Sequence, residues 1–114
     1  MTLHGTVRDN SGVAIVDFSG RITLGEGSAT LRNMVKECVG SGKKKILLNL
    51  ADVDYIDSAG IGELVSAFTT VRTAGGELKL LSLTNRVKDI LQITRLYTVF
   101  DVQSEEWTAI HSYK

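Results

Sequence analysis

The sequence of 114 residues predicts an α/β fold in which parallel strands are joined by helices. Segments with a helical spacing of apolar residues alternate with short apolar runs, which is typical of a parallel sheet with right-handed crossovers. The runs ILLNL (46–50) and ELKLLSL (77–83) have the composition of strands covered on both faces. The chain contains no proline, and it shows no repeat or low-complexity segment, so we expect one domain over residues 1–114.

The first part of the chain predicts a hairpin followed by a helix. The β-like runs LHGTVRD (3–9) and VAIVDFSG (13–20) flank the residues NSG, whose asparagine and glycine favour a turn. In EGSATLRNMVKECVG (26–40), apolar residues recur at i, i+3, i+4 and i+7 until Gly40 ends the pattern. Cys38 lies on this apolar stripe, so we expect its side chain to be buried.

The second part predicts two further helices, a last strand and a short terminal helix. The segment IGELVSAF (61–68) repeats the helical spacing, and Asn85 is the expected N-cap of the next helix. The run YTVFDV (97–102) predicts a strand, Ser104 the start of the terminal helix, and Trp107 the residue that packs this helix onto the sheet. The remaining residues expected in the core are Leu96, Tyr97, Val99 and Phe100.

Composition excludes several classes of function. Lys plus Arg and Asp plus Glu number 13 each, so no basic field exists to attract nucleic acid or anionic lipid. No apolar run approaches the ~20 residues that span a bilayer, and the N-terminus has no signal pattern, so we expect a cytoplasmic protein without membrane insertion. The one cysteine and the distant His4 and His111 form no ligand cluster, so we expect neither metal nor cofactor.

The most unusual stretch is DVDYIDSAGIGELVSAF (52–68), where a strand is expected to give way to a helix. Asp57 and Ser58 lie at the turn, and either residue type can cap a helix. A cap does not explain Gly60 and Gly62, since glycine costs about 1 kcal/mol in a helix relative to alanine. Residues without side chains let another molecule approach an exposed hydroxyl, and functional loops follow the carboxyl ends of parallel strands.

These observations favour a binding surface that phosphorylation of Ser58 alters, because a phosphate would place roughly −1.5 to −2 charges beside Asp57. A serine hydrolase, a dinucleotide or P-loop site and a metal site compete with this hypothesis, and each is weaker. A nucleophile elbow requires glycine two residues before the serine, where this chain has Ile56, and no phosphate-binding glycine motif is complete. A nucleotide or anion held at the helix N-terminus remains an alternative.

The segment NLADVDYIDSAGIGEL (49–64) resembles the signature of STAS domain proteins, specifically the stand-alone anti-sigma factor antagonists of bacteria. Two further matching segments, SGRITLGEGSATL (19–31) and GGELKLLSLTNRVKDILQITRLYTVFDVQSEE (75–106), follow the order of that family. The resemblance implies the STAS fold, a small mixed sheet of about four or five strands with about four helices packed mainly on one side.

The resemblance also implies that the protein is a ligand and substrate, not an enzyme. Ser58 would be phosphorylated by an anti-sigma factor, an ATP-dependent serine kinase with a histidine-kinase-like ATPase fold. The unphosphorylated protein would bind this kinase and release its sigma factor, and a serine phosphatase would restore that form. Asp57 would help to present the serine, and the remaining docking residues would be Ala59, Gly60, Ile61 and Gly62.

One segment departs from the family pattern. Many members have G-E-[LI]-D before the first helix, whereas this chain has GRIT, with Arg21 and Thr23 in place of the two acids. Both residues are candidate loop contacts, and Arg21 could pair with a phosphate. The alternatives are a STAS module that is not phosphorylated and acts as a scaffold or transporter subunit, and a STAS domain that binds a nucleotide or anion.

Overall fold

The computed structural model describes residues 2–113, which form one five-stranded sheet and four helices. The strands are β1 (Leu3–Asn10), β2 (Val13–Ile22), β3 (Lys45–Ile56), β4 (Glu77–Leu81) and β5 (Val102–Gln103). The helices are α1 (Glu26–Gly40), α2 (Ser58–Thr73), α3 (Asn85–Ile93) and α4 (Glu106–Ile110). The predicted α/β class is confirmed. None of the helices in the described residues is long and apolar enough to cross a bilayer.

The strands lie in the sheet in their order along the chain. β1 and β2 form the predicted antiparallel hairpin, whose turn residues Ser11 and Gly12 have positive φ angles of 56° and 85°. β2, β3, β4 and β5 are parallel, and α1, α2 and α3 make the three connections between them. The carboxyl ends of β2, β3 and β4 therefore meet at one edge of the sheet, which we call the carboxyl edge.

Three helices cover one face of the sheet, and α4 covers part of the other. The main core contains side chains of α1, α2 and α3, such as Leu31, Leu64 and Leu91, together with alternate residues of the strands. On the opposite face, a smaller cluster joins strand residues to Ala109 of α4. The prediction for Trp107 is wrong: its side chain is 70% exposed, because the small Ala109 is the residue that α4 turns inward.

β3 is longer than predicted because two β-bulges hide its pattern. Its register against β2 shifts twice, between Asp17 and Ser19 and between Gly20 and Arg21 of β2. Each bulge adds one residue to β3 and resets the alternation of its faces. The core residues therefore occur three positions apart, at Leu50, Val53 and Ile56. A spacing of three residues is not typical of a strand, so the sequence did not predict this part of β3. The longer strand ends at Ile56, directly before Asp57.

The region after α3 differs most from the predictions. β5 contains only Val102 and Gln103, and residues 97–99 form a turn before it. Phe100 is buried as predicted and contacts Phe68 of α2 edge to face, at 5.7 Å between ring centroids. Val99 is 41% exposed, so its placement in the core was wrong. α4 begins after Glu105 rather than at Ser104.

Candidate functional site

The turn between β3 and α2 is organised by the side chain of Asp57. Its backbone is extended, with φ −101° and ψ −177°, which is the usual conformation of an N-cap. One carboxylate oxygen accepts a hydrogen bond from the backbone N–H of Gly60 at 2.8 Å, and the other accepts from the backbone N–H of Leu24 at 3.0 Å. Asp57 therefore caps α2 and holds the β2–α1 loop against it.

These two bonds also set the charge of the turn. The backbone N–H groups of Leu24 and then of Gly60 donate to the ionised carboxylate, and they lower the pKa of Asp57 below its usual value. The carboxylate is therefore ionised at neutral pH, beside the residue that was expected to carry a phosphate.

Replacing Asp57 is expected to separate its two structural roles. Asp57→Asn keeps one acceptor oxygen for the cap but presents an NH₂ group to Leu24, whereas Asp57→Ala loses both bonds and about 1–2 kcal/mol of unfolding free energy. Because the folded state lowers the pKa, this stabilisation is present above the unfolded pKa and is lost as the pH falls through the folded value. The difference between wild type and Asp57→Ala should therefore shrink below about pH 4. Urea unfolding at pH 7 and pH 3 measures the difference in unfolding free energy between the two proteins. The same difference at both pH values would contradict the proposed role of the ionised Asp57 carboxylate.

Ser58 is the first residue of α2 and is exposed. Because Asp57 supplies the cap, the hydroxyl of Ser58 is not needed for that purpose. It makes no hydrogen bond to any residue between 2 and 113. No side chain of the described residues acts as a base on this hydroxyl, so the turn presents an acceptor for a transferred group rather than an activated nucleophile.

The two glycines of α2 have different structural environments. A Cβ atom on Gly60 would overlap the carbonyl oxygen of Ile22 and lie 2.7 Å from Cγ1 of Ile56, so the bare position lets α2 pack against the ends of β2 and β3. Gly60 is buried and is not open to another molecule, which corrects the reason inferred from the sequence. Gly62 is exposed, and a Cβ atom there would meet no atom of another described residue within 4 Å.

The other predicted docking residues lie around Ser58 with different exposures. Ala59 is half-buried, and Ile61 is 8% exposed with its side chain in the main core. Thr23 is half-buried, and its carbonyl oxygen accepts hydrogen bonds from the backbone N–H and the hydroxyl of Ser28, at 2.9 and 2.8 Å. This carbonyl oxygen fixes the start of α1. Within residues 57–62, the exposed residues are Ser58 and Gly62.

Three residues at the carboxyl edge were not identified from the sequence, namely Leu24, Tyr55 and Arg86. Leu24 is 80% exposed, although the Asp57 carboxylate fixes its backbone. The Tyr55 ring lies 5.3 Å from the guanidinium carbon of Arg21 and 5.2 Å from that of Arg86. The apolar Leu24 in a polar loop was a visible signal. The contact of Arg86 with Tyr55 was not, since it depends on how α3 lies beside β3.

The position of α3 is set by Thr84. The Thr84 hydroxyl donates to the carbonyl oxygen of Val53 at 2.8 Å and accepts from the backbone N–H of Val87 at 3.4 Å. Thr84 is therefore the N-cap of α3, and the prediction of Asn85 was wrong by one residue. The bond to Val53 ties the β4–α3 loop to β3 and brings Arg86 to the side of Tyr55.

Comparisons with known proteins agree with this architecture. A model of the STAS domain matches residues 6–109. The anti-sigma-B factor antagonist of Bacillus subtilis is 29% identical over 105 residues, which cover 92% of this chain and 94% of that protein. An anti-sigma factor antagonist from Mycobacterium paratuberculosis has a crystal structure with a TM-score of 0.86, at 18% identity over 98% of this chain and 94% of that one. The structure of the Bacillus cell fate determinant SpoIIAA in its phosphorylated form has a TM-score of 0.70, at 14% identity over 95% and 98%.

Proposed function

Because this chain belongs to the STAS domain family, we propose that it is an anti-sigma factor antagonist whose binding is switched by phosphorylation of Ser58. In its unphosphorylated form it binds an anti-sigma factor with serine kinase activity, and this binding releases the sigma factor. Phosphorylation by that kinase ends the interaction, and a serine phosphatase reverses it. The protein acts in the cytoplasm as a ligand and a substrate, with no catalytic residue of its own.

The observation that carries this proposal is the exposed hydroxyl of Ser58, which makes no hydrogen bond to the described residues. It lies in a turn that other residues hold in place. Asp57 caps the helix and Gly60 lets it pack, so the turn does not depend on Ser58. A kinase can then modify the hydroxyl without opening the fold. The relatives named as anti-sigma factor antagonists, and the phosphorylated form of SpoIIAA, support the same role for this chain.

The physical basis of the switch is the charge that phosphorylation adds. The exposed Gly62 and the half-buried Ala59 place no bulky side chain beside the hydroxyl, so a partner can approach it closely. A phosphate brings roughly two negative charges to this surface, beside the ionised Asp57. Burying these charges under a partner costs desolvation energy, and Asp57 adds like-charge repulsion, so the complex dissociates.

The direct test is intact-mass spectrometry of the protein after incubation with Mg-ATP and each ATPase-fold serine kinase of its host. We expect the wild type to gain one phosphate and Ser58→Ala to gain none. Ser66→Ala, which removes an exposed serine of the same helix, is the control and should be modified like the wild type. If no such kinase modifies the wild type, the phosphorylation switch is wrong and a STAS module without phosphorylation takes its place.

A further inference from the structure

We infer that Arg21, Tyr55 and Arg86 form a second contact site at the carboxyl edge, which binds a carboxylate-bearing segment of the anti-sigma factor. We call these three residues the arginine–tyrosine cluster. This inference rests on the proposed function, because it names a chemical feature of that same partner. The arginine–tyrosine cluster helps to determine which anti-sigma factor the protein binds, in addition to the residues around Ser58.

The cluster is assembled by three different elements of the fold. Arg21 in β2 is paired in register with Tyr55 in β3, and Arg86 lies in the first turn of α3. Both guanidinium carbons lie over the Tyr55 ring, at 5.3 and 5.2 Å from its centroid, so they are at most 10.5 Å apart. Stacking on an aromatic ring orients a guanidinium group while leaving its edge N–H groups free to donate.

The hydrogen-bonding capacity of the cluster is largely unused within the chain. The Arg86 side chain makes no hydrogen bond or ion pair with the described residues, and its guanidinium group contacts the Tyr55 ring. Arg21 has one ion pair, with Asp54, in which Nε and Oδ1 are 3.9 Å apart. The two side chains of this pair are 50% and 69% exposed, so water screens it and a partner can replace it at little cost. The Tyr55 hydroxyl likewise bonds to none of the residues 2–113.

The surrounding charges favour separate carboxylates over a phosphate polymer. Asp54 lies beside Arg21, Asp57 follows Tyr55 by two residues, and Asp89 lies one helical turn after Arg86. The whole chain has no net charge, so no extended basic field would hold nucleic acid here. The surface therefore alternates between arginines and aspartates. It is complemented by a partner that places one or two carboxylates on the arginines and keeps its remaining negative charges away from the aspartates.

The test compares two double variants for binding to the kinase that phosphorylates Ser58. Arg21→Gln with Arg86→Gln removes the cations of the cluster. Lys36→Gln with Arg95→Gln removes two exposed cations elsewhere and serves as the control. We expect the first to bind the kinase at least tenfold more weakly, with a shallower dependence on salt, and the control to bind like the wild type. Equal affinity of the two variants would overturn the inference while leaving the phosphorylation switch intact.

A second measurement decides the inference without the kinase. Hexaglutamate peptide is titrated into ¹⁵N-labelled protein, and the Nε–H signals of the arginines are followed by NMR. We expect shifts at Arg21 and Arg86 that are absent at Arg32 and Arg95, and that salt reduces. If the arginine signals respond alike or not at all, the cluster is not a carboxylate site. Failure of every kinase to bind the wild type would instead reject the proposed function, and the peptide titration still reports on the site.

Discussion

Gly60→Ala is expected to destabilise the protein by about 3 kcal/mol, the upper part of the range for overpacking a closed interior. The added Cβ would overlap the carbonyl oxygen of Ile22, which belongs to the backbone of a central strand and cannot move aside like the end of a side chain. Either α2 or the end of β2 must shift, and this shift lengthens the hydrogen bond that the Gly60 N–H donates to the Asp57 carboxylate.

Gly62→Ala is the matched control, since it makes the same change two residues further along the same helix. It should stabilise the protein by about 0.5–1 kcal/mol, because the new methyl group clashes with none of the described residues and alanine favours the helix. Urea unfolding should be followed by far-UV circular dichroism, since Trp107 is 70% exposed in the folded state and its fluorescence would change little. Equal stabilities of the two variants would contradict the packing role of Gly60.

Ser58→Asp is expected to weaken binding to the anti-sigma kinase by about 100-fold, a coupling of about 2.7 kcal/mol. The carboxylate imitates part of the charge of the proposed phosphate, on the surface that we propose the kinase covers. The unfolding free energy should change by less than about 0.5 kcal/mol, because an acid in the first turn of a helix is favoured by the helix dipole while Asp57 opposes it. Binding is measured by isothermal titration calorimetry, and stability by urea unfolding.

Ser66→Asp makes the same substitution at another exposed position of α2 and should bind the kinase like the wild type. If Ser58→Asp binds normally while folding normally, a charge at this position does not control the interaction. If Ser58→Asp unfolds instead, Ser58 has a structural role that its exposed hydroxyl does not suggest. Ser58→Ala distinguishes these cases, since it removes the hydroxyl without adding charge.

Local sequence was sufficient to predict the elements whose pattern is regular. The range predicted for the first helix, 26–40, is the range of α1, because its apolar spacing and its terminal glycine agree. The end of β3 could not be predicted in the same way. Bulges place Val53 and Ile56 in the core at a spacing of three residues, and the register against β2 that produces them is a property of the pair of strands.

The candidate site also contains features that the local sequence predicts and features that depend on distant parts of the chain. The sequence identified the turn and Ser58, because an Asp–Ser pair followed by glycines is unusual at a helix start. It could not distinguish Gly60 from Gly62, since the difference between them is the distance to a carbonyl group of β2, which is far away in sequence. Arg21 was identified from the sequence, but its association with Tyr55 and Arg86 could not be predicted for the same reason, because the three residues come from three elements.

The division of labour within the turn has a consequence for how such proteins diverge. Asp57 and Gly60 are committed to the chain's own contacts, while Ser58 and Gly62 between and beside them face outward. Under the proposed function, mutations at the outward positions and at the exposed arginines would alter recognition at small cost in stability. Duplicated copies of such a gene can therefore drift apart in partner choice while keeping the same fold. Insulation against crosstalk between parallel signalling pathways then requires few substitutions.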